Sequence, residues 1–202
     1  MQRSRAEAAG ETRARILAAA RELLPAGSAL RVGEIAARAG VSVQTLYTHF
    51  GSKSGLLMAS VTDVEREAGL EAGFERVWSS PTAETALREM VAGTFRFWHR
   101  AWPYVEFTVR ARRTDPVVRE QVGRLDASRH AHLVSLCGQL QGGGRLRSDL
   151  SPERAADLAF ALTTPTVYEE LVVLRGWSLP NAMGEVAESV LGALLAPATG
   201  TG

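Results

Sequence analysis

Little in this 202-residue chain invites covalent or metal chemistry. One cysteine, Cys137, excludes an internal disulfide framework and a cysteine-based zinc site, and it suits a reducing compartment. It sits in an apolar run, where a buried small hydrophobe is favoured over a redox sensor. Isoleucine occurs only twice and valine-rich alternating runs are missing, whereas Ala, Leu, Arg and Glu abound. That balance favours helices and gives no support for a sheet. No uninterrupted apolar stretch reaches the length of a membrane span, and MQRSRAEAAGETR lacks the apolar centre of a secretory leader. A soluble, unprocessed, cytoplasmic protein with no membrane partner is expected. The 46% of apolar residues is ample for a packed core and excludes a disordered chain.

Catalytic constellations are equally scarce. His130 and His132 are two apart, so on a helix they point about 200° apart and cannot grip one metal as an i, i+4 pair would. GSKSG at 51–55 superficially resembles a phosphate loop or a nucleophile elbow. The first requires G-x-x-x-x-G-K-[ST] after a strand, and the second requires Ser at the centre, where Lys53 stands. With no nucleophile–base pair, metal cluster or phosphate loop, a non-enzyme without cofactor or metal is expected.

What the chain does have is an uneven charge distribution. The net charge of +1 says little, but residues 1 to 55 carry eight Lys or Arg against four Glu, and the remainder is net negative. The basic end is the expected DNA end, with Arg3, Arg5, Arg13 and Arg15 on an arm able to reach phosphates or a minor groove. A solvated tail is at least as good a reading for Arg3 and Arg5.

Within that basic end, VGEIAARAGVSVQTLYTHFGSKSGLL (32–57) spells a short helix, a glycine turn, a second short helix and a basic cap. Val32, Ile35, Ala36 and Ala39 recur at helical spacing and give one apolar face, leaving Glu34 and Arg38 to solvent. Gly40 supplies the left-handed C-terminus, and Ser42 caps the next helix. There Leu46 and Phe50 face the core, turning Gln44, Thr45 and Thr48 outward, with Tyr47 and His49 on the flanks. A small, polar, hydrogen-bonding face of this kind suits base edges in a major groove. Ser52 caps a further helix and places Lys53 at its N-terminus, where free amides already favour a phosphate.

IAARAGVSVQTLYTHFGSKSGLL resembles the signature of the TetR family of bacterial transcriptional regulators, I-A-x-x-A-G-V-S-x-x-x-x-Y-x-x-F-x-x-K-x-x-L. The matching residues are Ile35, Ala36, Ala39, Gly40, Val41, Ser42, Tyr47, Phe50, Lys53 and Leu56. RGWSLPNAMGEVAESVLGALLA is more weakly similar to the final helix of such proteins. The resemblance implies that Tyr47 and Lys53 hold DNA phosphates, that Gln44, Thr45 and Thr48 read bases, and that His49 meets a base or a phosphate. Ser42 completes this expected DNA-binding set. Two departures stand out: Arg31 where the family has a Ser or Thr cap, which Ser28 could replace, and Pro25, which shortens the first long helix.

Beyond residue 57, Ser80-Pro81, Asp115-Pro116 and Ser151-Pro152 each pair a capping side chain with a first-turn proline, predicting three helix starts. The first predicted helix ends near Trp102, and Pro103 opens a shorter one. The second runs to the Gly142-Gly143-Gly144 stop. The third is apolar nearly all round from Leu158 to Leu174, so it is central or covered by a partner. Pro180 opens a last helix with a wide stripe of Val186, Val190, Leu191, Leu194 and Leu195. Paired about a two-fold axis, the last two would form a four-helix bundle, and the resulting homodimer sets two reading helices about 34 Å or a multiple apart on a palindrome. Both helices packing into one monomeric core is the competing reading.

The fold expected is therefore all-α, with a three-helix DNA-binding domain in 1–57 and a helical effector-binding and dimerisation domain in 58–202. The resemblance implies an apolar ligand pocket, for which Phe95, Trp98, Trp102, Tyr104, Phe107, Phe160 and Tyr168 are candidate walls and Arg110, Thr163 and Thr164 candidate polar groups. Ordinary core packing explains each aromatic alone. The function expected is a repressor of double-stranded DNA targets, released by a small-molecule effector. The alternative is an activator or an effector-independent DNA binder.

Overall fold

Helix starts depend on which side chains take the first free amides. The computed structural model, which describes residues 5–23, 31–67 and 75–197, shows which of them do. In chain order the helices are α1 (Arg5–Leu23), α2 (Val32–Arg38), α3 (Val43–Phe50), α4 (Lys53–Glu67), α5 (Ala83–Ala111), α6 (Pro116–Gly142), α7 (Pro152–Leu162), α8 (Pro165–Tyr168), a π-helical turn (Glu169–Leu174) and α9 (Leu179–Leu194). Among the described residues the only β-type pairing is an isolated bridge between Leu146 and Leu195. No described helix is long and apolar enough to cross a membrane. The fold is all-α.

Asp115 caps α6 by accepting from the Val117 and Val118 amides at 2.9 and 3.2 Å, and Ser151 caps α7 by accepting from the Arg154 amide at 3.4 Å. Ser178 does the same for α9 through Asn181 at 3.3 Å. The Ser80-Pro81 start needs correction. α5 is capped by Thr82, which accepts from the Thr85 amide at 3.1 Å, because the Ser80 hydroxyl is spent on the Arg76 carbonyl at 2.8 Å. Pro103 opens no new helix; it lies inside α5. The lost backbone bond costs about 3 kcal/mol. Burying Trp98, Trp102, Tyr104 and Val105 along one continuous rod outweighs it at roughly 1.5–3 kcal/mol for each large apolar side chain.

The continuous apolar helix expected from Leu158 to Leu174 is broken as well. Thr163 leaves helical geometry (φ −118°, ψ 40°) and Thr164 is extended, the conformation favoured for a residue before proline. Pro165 then starts α8, which runs into the π-helical turn, closed by Arg175 N donating to the Glu170 carbonyl at 3.0 Å. Pro25 and Ser28, discussed above as helix stop and alternative cap, lie outside the described residues, as does Arg3.

The chain divides into two compact units, to both of which α5 and α6 contribute: residues 1–67 with 101–122, and residues 68–100 with 123–202. The expected divide at 57/58 falls within α4. In the first unit α1 packs on α2 and α4, and α3 packs on α4. Ile16, Ala20, Ile35, Ala36, Leu46, Leu56 and Leu57 form its core, and Arg21 pairs with Asp63 at 2.5 Å. In the second unit α9 packs on α7, and Ala182, Val186, Val190, Leu191 and Leu194 are buried, so much of the wide stripe on the last helix is covered inside the protomer.

Candidate nucleic-acid interface and effector region

Helix α3 is positioned by the turn before it. After Ala39 closes α2, Gly40 takes φ +66°, Val41 N donates to the Ala36 carbonyl at 3.0 Å and Gly40 N to the Ala37 carbonyl at 3.1 Å. This paired closure fixes the angle at which the chain leaves α2. Ser42 then caps α3, accepting from the Thr45 amide at 3.0 Å, and its hydroxyl lies 2.8 Å from Thr45 Oγ1. Leu46 is 0% exposed, whereas Gln44 and Thr48 on the opposite side are open to solvent. Thr45, Tyr47, His49 and Phe50 are half-buried. Thr48 Oγ1 donates to the Gln44 carbonyl at 2.9 Å, so its lone pairs and methyl remain available. Arg31 makes no cap for α2; it pairs with Glu34 at 3.0 Å.

Close approach welds α3 to α4. A Cβ on Gly55 would stand 2.0 Å from the Phe50 carbonyl oxygen, so only glycine fits there. Its amide donates to Ser52 Oγ at 2.9 Å. Lys53, the first residue of α4 and the single lysine among 23 basic residues, is exposed, with Nζ 5.8 Å from the Phe107 ring centroid. Next to it Ser54 donates to Asp115 Oδ2. That hydroxyl, and after it the Val118 and Val117 amides, hold the Asp115 carboxyl below its ordinary range. Arg13 and Arg15 correct the arm expected at the N-terminus: both sit on α1, and the Arg13 guanidinium lies 5.3 Å from the Phe50 ring centroid.

The candidate effector residues split between the two units. Phe95, Trp98 and Tyr168 form one ring cluster, with centroids 5.5, 5.7 and 6.2 Å apart, and all three are buried. Tyr168 OH is 3.0 Å from His99 Nδ1, and burial pushes the phenol above its ordinary range. Thr163 is buried and Thr164 half-buried at the α7–α8 break. Phe160 and Trp98 are joined by a residue that sequence reasoning missed, Arg129, whose guanidinium lies 4.0 and 5.6 Å from their centroids. Its signal was its register, since it falls on the stripe of Leu133, Leu136 and Leu140 where an apolar residue is expected. Trp102, Phe107 and Arg110 belong to the first unit. There Phe107 faces Lys53, and Arg110 is exposed and paired with Glu106. Cys137 is buried and its thiol is pushed up to about 11, as suits a small core residue.

Residues 16–60 match the model of the bacterial regulatory proteins of the tetR family. That segment is similar to the DNA-binding head of the family. Likeness of fold to solved structures extends over nearly the whole chain. A TetR transcriptional regulator from Chloroflexus aurantiacus J-10-FL is 18% identical, with TM-score 0.72, over 95% of this chain and 100% of that one. FadR from Bacillus subtilis, in complex with stearoyl-CoA, is 18% identical with TM-score 0.69 over 88% and 97%. NalD, the secondary repressor of the MexAB-OprM multidrug efflux pump in Pseudomonas aeruginosa, is 21% identical with TM-score 0.66 over 96% and 100%. At these identities the shared feature is the fold. Curated protein sequences gave no match. The family match covers the end of α1, all of α2 and α3 and the first half of α4, and so includes the exposed polar face.

Proposed function

We infer that this protein is a cytoplasmic, homodimeric transcriptional regulator that represses from a palindromic operator and is released by a small-molecule effector. The observation that carries the reading is the two-sidedness of α3. Leu46 is fully buried while Gln44 and Thr48 are exposed on a rod fixed by the Ser42 cap and the Gly55 contact. Gln44, Thr45 and Thr48 read base edges; Tyr47 and Lys53 hold phosphates; Ser42 and His49 flank them. Thr45 reaches DNA only by sharing its hydroxyl with the cap, so Gln44 carries more of the discrimination.

Dimerisation is supported by apolar side chains left outside the protomer's own core: Leu158, Val173, Leu174 and Trp177, with Leu174 68% exposed. One head buries too little for tight specific binding, and two heads joined by a two-fold axis double the contacts. The effector region is the second unit, around Phe95, Trp98, Phe160, Thr163, Thr164 and Tyr168. FadR, which shares the fold, was crystallised with stearoyl-CoA, which supports a ligand-responsive body. An effector preferring the form whose heads do not fit the operator would release the DNA by its differential affinity. Titration of the purified protein on its own promoter region at about 150 mM salt is the test. Retarded cognate DNA with unretarded random DNA is expected; equal affinity for both overturns the reading.

A further inference from the structure

Arg129 falls at a core register of α6 with its side chain 17% exposed, and its one ion pair among the described residues, to Asp126, is long at 4.0 Å. Its Nη1 donates to the Thr163 carbonyl at 2.7 Å and to Thr163 Oγ1 at 3.1 Å. Thr163 passes its own proton to the Ala159 carbonyl at 2.7 Å, which leaves a lone pair facing Arg129. The other edge of the fork, Nε with Nη2, donates to nothing within hydrogen-bond distance among the described residues. The nearest carboxylate oxygen, Asp126 Oδ1, stands 4.0 Å from Nη2.

Two arginines of this chain show what that edge does when a partner is present. Arg88 holds Glu188 through Nε and Nη2 at 2.8 and 3.4 Å, and Arg147 holds Asp149 at 3.0 and 2.7 Å. Arg129 offers the same two-donor edge, flattened against Phe160 and beside Trp98, in surroundings where a charge-assisted bond is stronger than at the surface. Burial draws its pKa down to about 10, so the group is still cationic at neutral pH.

We propose that the Nε–Nη2 edge of Arg129 binds the carboxylate of a small organic acid whose apolar body lies against the aromatic side chains of the second unit. This rests on the effector-responsive reading above and gives the effector a chemical class: a monocarboxylate with a hydrocarbon or aryl tail. A guanidinium that only caps the C-terminus of α7 would do so through Nη1 and would show no preference among ligands.

The experiment is calorimetric titration of the full-length protein, without DNA, with phenylacetate and the straight-chain acids from butanoate to dodecanoate, each paired with its primary amide. Binding of at least one acid is expected, with its amide about tenfold weaker or worse. Arg129→Lys keeps a charge and a donor for Thr163 but loses the planar edge, and should weaken the acid by about tenfold. Asp126→Asn, which leaves the stacked guanidinium in place, should tighten the acid by removing a neighbouring negative charge; it decides the matter together with the acid–amide pairs should the Lys variant fail to fold. No acid binding, equal binding of acid and amide, or unchanged acid affinity in a folded Arg129→Lys protein each overturn the proposal. The same preparation on promoter DNA separates the two readings: DNA binding without acid discrimination removes only this one, and acid binding without specific DNA binding removes only the regulator.

Discussion

At the scale of single residues the two proposed kinds of DNA contact predict different signatures. Lys53→Ala should weaken binding to cognate and random DNA alike and lower the salt dependence, whereas Gln44→Ala should cost about 1–3 kcal/mol on the cognate site and change which bases are preferred. Competition binding with both variants checks this; equal effects on both DNAs from both changes would contradict the assignment. Because Lys53 is the single lysine, an amine-specific reagent marks it and the chain's α-amino group alone, and bound DNA should shield the first. The Ser54–Asp115 bond has its own readout. The Asp115 carboxyl is held below its ordinary range, so its cap on α6 contributes stability above the unfolded value and loses it as pH falls through the lowered one. Ser54→Ala should raise that value toward the usual aspartate range in a carboxyl NMR titration, and an unmoved value would show that the hydroxyl is not its main cause. The exposure of Gln44 and Thr48 was legible in the sequence, because an apolar pair four apart fixes which side is left for solvent. Arg129 was not, since nothing local announces that a charged side chain will take a core register.

Among the elements, the short ones were the easiest to read and the long ones the hardest. Gly40 and Ser42 bracket α3 by local chemistry alone, and the same holds for Asp115 and Ser151 at their helices. Pro103 and the Thr164-Pro165 break show where local chemistry stops deciding. The first proline is carried inside α5 by buried aromatics on both sides, whereas the second follows a residue already extended and ends its helix. The contact at Gly55 was invisible in the sequence, because it depends on the angle between α3 and α4. Gly55→Ala should destabilise the head by more than about 2 kcal/mol in thermal or urea unfolding, since the methyl meets backbone rather than a movable side chain. Ser42→Ala should cost about 1 kcal/mol, the usual worth of an N-cap. A neutral Gly55→Ala would mean that α3 is not fixed by that contact.

For the molecule as a whole, the all-α class and the similarity of residues 16–60 to a TetR-family head could be read from composition and motif, but the burial of the last helix could not. Its stripe suggested a surface for a second copy, and packing on α7 inside the protomer takes up most of it. The apolar remainder at Leu158, Val173, Leu174 and Trp177 is what the dimer reading now stands on. Leu174→Asp should shift the protein from dimer to monomer in sedimentation at micromolar concentration while its helical circular dichroism is kept, and specific DNA binding should fall with it. A monomeric wild type would remove the paired-head arrangement. The most direct test of the whole account is selection from a random DNA pool with wild type and Gln44→Ala side by side at about 150 mM salt. The wild type should enrich a two-fold symmetric sequence with half-sites about 34 Å or a multiple apart, and the variant the same spacing with altered bases inside each half. No consensus from the wild type, or an identical consensus from both proteins, would contradict the claim that the exposed face of α3 reads DNA.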